Sequence, residues 1–184
     1  MKIPIYYIDA FTDKLFSGNP AAVIFSDIND SDLMQKIAQE NNLSETAFIK
    51  EDSGKFYIRW FSPSCEIDLC GHATLASAFV YFNFINQSAN EFIVHSKVNG
   101  PLSVSLSNDL LLLDFPKDTI SPSSMHQEIC EVLGIAPIEL YEGRDDILAI
   151  IDNESLVKKL KPNFSLLKSE SNPQRIIFLS YLSI

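Results

Sequence analysis

This 184-residue chain predicts an α+β fold in which a sheet wraps around one buried helix, and three observations carry that expectation. The stretch "GHATLASAFVYFNFI" (residues 71–85) has no charged residue and alternates small with large side chains. A helix that is apolar all round must be buried all round. Short runs rich in β-branched and aromatic residues, punctuated by turn signals, flank it on both sides and read as strands. After Pro116 the order of elements starts again but is only partly repeated, which predicts two lobes, residues 1–116 and 117–184.

Taken in order, "IPIYYIDAF" is an opening strand, and "FSGNPAAVIF" a Gly-Asn-Pro turn followed by a second strand. "SDLMQKIAQENN" is a short amphipathic helix with Ser31 or Asp30 as N-cap; Leu33, Ile37 and Met34 lie on one face, and the asparagine pair ends it. "ETAFIK" and "KFYIRWFS" are strands joined at Asp52-Ser53-Gly54. Beyond the apolar helix, "EFIVHS", "GPLSVSLS" and "LLLLDFP" are strands, the last two joined by a tight turn at Asn108-Asp109. In the second lobe "SSMHQEICEVLGI" is a helix ending at Gly134, "IELYEG" and "DILAII" are strands, "NESLVKKLKPNFSLLK" is a helix interrupted by Pro162, and "QRIIFLSYL" is a final strand. No second all-apolar helix is present to form its core.

Composition narrows the function. A hydrophobic fraction of 46% with 21% charged residues is that of a globular domain. The net charge of −10 argues against a nucleic-acid partner, which needs clustered Lys and Arg. The N-terminal stretch meets Asp9 too early for a secretory signal, and no uncharged apolar run nears the roughly 18 residues of a membrane span, so no membrane partner is expected. Three cysteines, an odd number, fit reduced thiols and a cytoplasmic location.

The reactive residues gather at the mouth of the apolar helix, in "CEIDLCGHATLA". A helix N-terminus presents unpaired N–H groups and a positive dipole end, ready for a carboxylate. Gly71 lets a ligand approach the backbone, Ala73 continues the opening turn, and His72 can donate a hydrogen bond or a proton. The same pattern also describes a plain helix start with a satisfied histidine. Glu45, in "NLSETAF" between Ser44 and Thr46, stands where a helix gives way to a strand. Facing a closed pocket, it would suit removal of a carbon-bound proton; facing solvent, it is a surface acid. Cys70 precedes the helix, where a thiolate is favoured, and is either a nucleophile or a small buried hydrophobe. Glu66 and Asp68 alternate along a strand and share one face, from which they either orient His72 or meet solvent. Asn19 belongs to a turn whose N–H groups are available to a ligand pocket. Cys65, Cys70 and His72 match no structural zinc spacing, so no metal is expected, and no dinucleotide or phosphate-binding loop points to a cofactor.

Together "DAFTDKLFSGNPAAV", "NLSETAF" and "FSPSCEIDLCGHATLA", in this order and spacing, resemble the phenazine-biosynthesis isomerase (PhzF-like) family. The resemblance continues weakly through "PLSVSL", "LDFP", "VLGI" and "KPNFSLL". It implies a diaminopimelate-epimerase-like fold of two pseudo-symmetric lobes with the active site in the cleft between them. It also implies cofactor-free proton transfer on a small anionic substrate such as a dihydro-hydroxyanthranilate. The family's catalytic glutamate falls on Glu45 and its Gly-His pair on Gly71 and His72; Asn19, Ser44 and Ala73, next to these motifs, are the candidate substrate-binding residues. In related epimerases a reactive cysteine takes the place of Cys70; the histidine after the glycine favours the isomerase branch, with Cys70 as packing. The family's motif of the type Glu-Asp-Pro-x-Thr-Gly-Ser-Ala, which opens a second central helix, has no match here. The expectation is a chain shortened at its C-terminus, with the apolar faces of Ile176, Ile177, Phe178 and Leu179 uncovered and a homodimer completing it. The competing readings are a non-catalytic module that binds small anions or oligomerises, and a cysteine-based epimerase.

Overall fold

The computed structural model describes residues 2–108, 110–144, 146–167 and 177–181. The chain divides into two compact units, Met1–Pro116 and Lys117–Ile184.

The first unit is built from β1 (Tyr6–Ala10), β2 (Asn19–Phe25), α1 (Ser31–Asn41), β3 (Glu45–Asp52), β4 (Lys55–Phe61), β5 (Glu66–Ile67), α2 (Gly71–Val80), β6 (Glu91–Ser96), β7 (Gly100–Ser107) and β8 (Leu110–Asp114). One eight-stranded sheet runs β1-β2-β3-β4-β6-β7-β8, with β5 added beside β4. β2 runs parallel to β3 and β4 parallel to β6; the other pairs are antiparallel. Helix α2 touches β1, β2 and β3 near one end of this order and β7 and β8 at the other, so the sheet curls around it.

The composition of α2 makes this possible. Ala73, Ala76, Ala78 and Val80 are fully buried against Ala21, Val23, Ala47, Trp60, Val94 and Val104. Small side chains let strands come close on several sides at once. The two buried hydroxyls are satisfied within the helix: Thr74 donates to the Cys70 carbonyl (2.6 Å) and Ser77 to that of Ala73 (2.7 Å). The helix then widens into a π-helical turn, Tyr81–Ile85, where Tyr81 stacks on Phe92 with ring centroids 4.4 Å apart. Burial is not complete around the whole stretch, since Phe79, Phe84 and Ile85 are exposed on its outer side.

Helix α1 covers the outer face of the sheet. Its N-cap is Asp30, whose Oδ1 accepts from the N–H groups of Asp32 (2.9 Å) and Leu33 (3.3 Å); Asn42 closes it in a left-handed conformation. Met34 and Ala38 are its buried residues, packed with Ile24, Phe48 and Phe61. Leu33, expected on the same face, is exposed instead, one position away from the buried stripe. The Asn19-Pro20 pair, expected as a turn, begins β2: Asn19 pairs with Ala10 and Pro20 with Asp9. The turn lies earlier, at Gly18, where φ is +82° and a Cβ would collide with the Ala10 carbonyl oxygen. The β3–β4 hairpin turns at Ser53 and Gly54, both at positive φ. In the β7–β8 turn Asn108 has φ of 48°, and Asp109 lies outside the described residues.

The second unit contains β9 (Ser121–Pro122), α3 (His126–Leu133), β10 (Glu139–Glu142), β11 (Ile147–Ile151), α4 (Glu154–Lys159), α5 (Phe164–Leu167) and β12 (Ile177–Tyr181), with the sheet order β12-β11-β10-β9. Ile129, Val132 and Leu133 of α3 pack on Leu140, Ile147, Ala149 and Ile151. Leu179 packs against the same cluster, so it is not left uncovered as expected; Ile176 lies outside the described residues. Among the described residues no helix is long and apolar enough to cross a membrane.

Candidate active site

The reactive residues of the first unit meet because strand register brings them to one end of the sheet. β1 ends at Ala10 opposite Asn19, where β2 begins; Glu45 opens β3 opposite Ala21; and β4 ends at Phe61, paired with Thr46 and with Glu66 of β5. Helix α2 starts at this end, and a Cβ on Gly71 would touch Leu113 and Phe115 there at ordinary contact distance, 3.8 Å.

The first turn of α2 carries His72 inward. Its Nε2 lies 3.0 Å from Oε2 of Glu45, and the two side chains are only 10% and 15% exposed. The contact has the length of a hydrogen bond but not its direction, so both atoms are buried without a hydrogen-bond partner. The other ring nitrogen, Nδ1, lies 3.4 Å from the sulfur of Cys70. Cys70 is itself the buried N-cap residue of α2 and sits in the core cluster with Ala73.

The electrostatics of Cys70 favour the buried-hydrophobe reading over the nucleophile. Burial first, and then the negative charge of Glu45, push its thiol up from 9.0 to about 12, while the N–H groups of Ala73 and His72 pull weakly the other way. The helix-terminus effect is present but outweighed by desolvation. A thiolate nucleophile is therefore disfavoured here. Among the described residues, Glu45, Cys70 and His72 also form a group whose ligand atoms lie within 4.8 Å of one another, a geometry that can hold a metal ion. Use of Cys70 as a ligand would require its proton to leave on binding, since metals take the thiolate. Cys65 is not in this group and instead contacts Ser62.

Ser44, next to Glu45, donates to Oδ1 of Asn19 at 3.4 Å, placing both beside the Glu45 carboxylate's strand. Asp68 does not join the cluster. β5 covers only Glu66 and Ile67, and Asp68 lies beyond it, exposed, with its carbonyl taking a hydrogen bond from Asn99. Glu66 is held away by Arg59, whose Nε and Nη2 each donate to its carboxylate at 2.6 Å. This pairing was not foreseen from sequence; its only signal was opposite charge on neighbouring short strands. The remaining histidines have ordinary partners: His95 lies against the Tyr57 ring and His126 against Cys130.

The phenazine biosynthesis-like protein family (PhzC-PhzF) matches residues 8–181. The chain belongs to this family. An uncharacterized isomerase of Halalkalibacterium halodurans is 42% identical over 170 residues, covering 91% of this chain and 64% of that protein. This chain thus spans under two thirds of the length of that relative. The crystal structure of a PhzF-family phenazine biosynthesis protein from Enterococcus faecalis matches with a TM-score of 0.83 and 40% identity, covering 98% of this chain and 70% of that one. A predicted epimerase of Pseudomonas aeruginosa, at 15% identity and a TM-score of 0.71, shares the fold. The fold is therefore PhzF-like and of the diaminopimelate-epimerase type.

Proposed function

We propose that the Glu45–His72 pair serves a cofactor-independent isomerase reaction, a proton shift on a small anionic substrate. One observation supports this above the others. Oε2 of Glu45 and Nε2 of His72, 3.0 Å apart, are buried and lack hydrogen-bond partners. An acid and an imidazole held this close in a buried place, without a well-directed hydrogen bond between them, are positioned to exchange a proton with a ligand. Kinship with isomerases points the same way.

In this reading Glu45 removes a proton from an acidified carbon. The electron pair of the broken C–H bond moves into the adjoining conjugated system, and the same carboxyl returns the proton to a carbon further along. Nothing is oxidised or reduced. His72 directs its ring N–H to an oxygen of the substrate, and Gly71 and Ala73 at the start of α2 add the positive end of the helix dipole for a carboxylate. Asn19 and Ser44 border the same place. A dihydro-hydroxyanthranilate is the first substrate to test. The cysteine-based route loses ground, since a thiol held to about pH 12 is a poor base near neutrality.

Glu45→Gln separates catalysis from mere binding. Turnover should fall by roughly 10²–10⁴-fold while calorimetry still registers the carboxylate ligand. Equal turnover in the variant would contradict the assignment, and binding without turnover in the unmodified chain would favour the small-anion module. A homodimer is part of the proposal: β8 ends the sheet order with Leu110 and Leu112 exposed, an edge that association would cover. A cytoplasmic location fits three cysteines outside any disulfide.

A further inference from the structure

We infer that Cys70 is a positioning residue whose thiol donates to Nδ1 of His72 and fixes the imidazole as the tautomer protonated at Nε2, the nitrogen beside Glu45. The geometry carries this. Sγ lies 3.4 Å from Nδ1, within reach of a sulfur hydrogen bond, and on the opposite side of the ring Nε2 lies 3.0 Å from Oε2 of Glu45. Each ring nitrogen thus faces one group, and the two groups differ in what they offer. A carboxylate only accepts, whereas a thiol has one proton to give.

That thiol remains protonated in the fold because burial and the charge of Glu45 both oppose ionisation. Its S–H has two destinations, Nδ1 of His72 or the Glu45 carboxylate. Donation to Glu45 would leave His72 free to carry its proton at Nδ1, pointing an N–H at the sulfur and a bare lone pair at the Glu45 carboxylate. Two acceptors would then face each other at 3.0 Å. Donation to Nδ1 removes that repulsion, since the neutral ring then places its N–H on the Glu45 side. A histidine's tautomer is set by the hydrogen bond its other nitrogen makes. The consequence is a buried Nε2–H beside Glu45 that makes no well-directed hydrogen bond to it and can turn to a substrate oxygen.

The kinetic part of this inference rests on the proposed role of His72; the tautomer itself does not. The decisive experiment is ¹⁵N NMR of the imidazole nitrogens in the full chain, with His72 assigned among the three histidines by its loss in His72→Asn. The expected spectrum at neutral pH has a pyridine-type Nδ1 and a pyrrole-type Nε2. Cys70→Ser, which keeps a donor, retains it, and Cys70→Ala gives averaged or inverted nitrogens. Activity in Cys70→Ala falls about 10–100-fold, as when a hydrogen-bond partner of a functional histidine is removed, and Cys70→Ser recovers most of it. An Nδ1-protonated ring in the unmodified chain overturns the inference, as does an unchanged tautomer in Cys70→Ala. Should Cys70→Ala not fold, the spectra of the unmodified chain and Cys70→Ser still decide. Failure of the isomerase reading would show as no turnover with the tautomer intact.

Discussion

Glu45 is the first residue of β3 and His72 stands in the first turn of α2, yet their Oε2 and Nε2 atoms are 3.0 Å apart. The contact follows from the parallel pairing of β2 with β3, which sets Glu45 opposite Ala21, and from burial of Ala73 and Ala76 against those strands. The small residues of α2 thus do more than fill a core. They bring the helix start close enough to the strand start for an acid and an imidazole to meet.

Gly71 offers the cleanest test of ligand approach. A methyl group there meets only Leu113 and Phe115 at 3.8 Å, and the backbone is not in the left-handed region. Gly71→Ala should therefore leave stability unchanged or raise it by about 0.4–1 kcal/mol. Affinity for a carboxylate ligand should fall at least tenfold if the ligand lies against this turn. Calorimetry on the variant checks both; unchanged affinity would move the anion away from the helix start.

Gly18 is constrained in the opposite way. At φ of +82° an added Cβ strikes the Ala10 carbonyl and Thr12, whereas at Gly54, also at positive φ, nothing lies within 4 Å. Gly54→Ala should cost about 1–2 kcal/mol from backbone strain alone. Gly18→Ala should cost more and disturb the Asn19–Ser44 contact beside Glu45. Chemical denaturation of the two variants measures the difference; equal losses would show that the close approach is relaxed without effect.

The fold and the candidate pair were largely legible, for reasons that are local. Charge-free helical spacing from Gly71 onward marks a core helix, and the hairpin at Ser53-Gly54 is written in its turn residues. Other features depend on tertiary context. The start of β2 was misplaced because Asn-Pro ordinarily signals a turn, while here Pro20 occupies a ladder position opposite Asp9. For Cys70 both a thiolate and a packed hydrophobe stay open in the sequence, because only its place at the helix start is visible there; the burial and the nearness of Glu45 that favour packing are supplied by strands far along the chain. The Arg59–Glu66 pair escaped notice because a two-residue strand has no periodicity to detect.

Acid should weaken the fold through Glu66. Hydrogen bonds from Arg59 hold its carboxyl below the usual range, with burial opposing and the charges of Arg59 and Lys97 assisting. The unfolded chain takes up this proton more readily than the folded one, so the stabilisation is present above the ordinary carboxylate range and is lost as pH falls. Both side chains are partly exposed, at 24% and 35%, so the effect should stay below about 1 kcal/mol. Urea unfolding of Glu66→Gln should show a shallower acid slope than the unmodified chain. An identical slope would remove Glu66 from the account.

Alkali should act through Cys70 with the opposite sign. Its thiol is raised in the fold from 9.0 to about 12, so folding favours the protonated form. The associated stability is complete below about pH 9 and declines as pH rises towards about 12. Cys70→Ser removes this titration and should flatten the alkaline limb of the stability curve. Alkylation followed by mass spectrometry should modify Cys65 and Cys130 well before Cys70 near neutral pH; early modification of Cys70 would contradict its burial.

In the proposed reaction Glu45 moves a proton between carbons. The most direct test is to incubate the chain with a dihydro-hydroxyanthranilate in D₂O and follow carbon-bound deuterium by NMR, for the unmodified protein and for Glu45→Gln. Incorporation should require Glu45 and vanish in the variant. Incorporation that persists undiminished in Glu45→Gln would contradict that role.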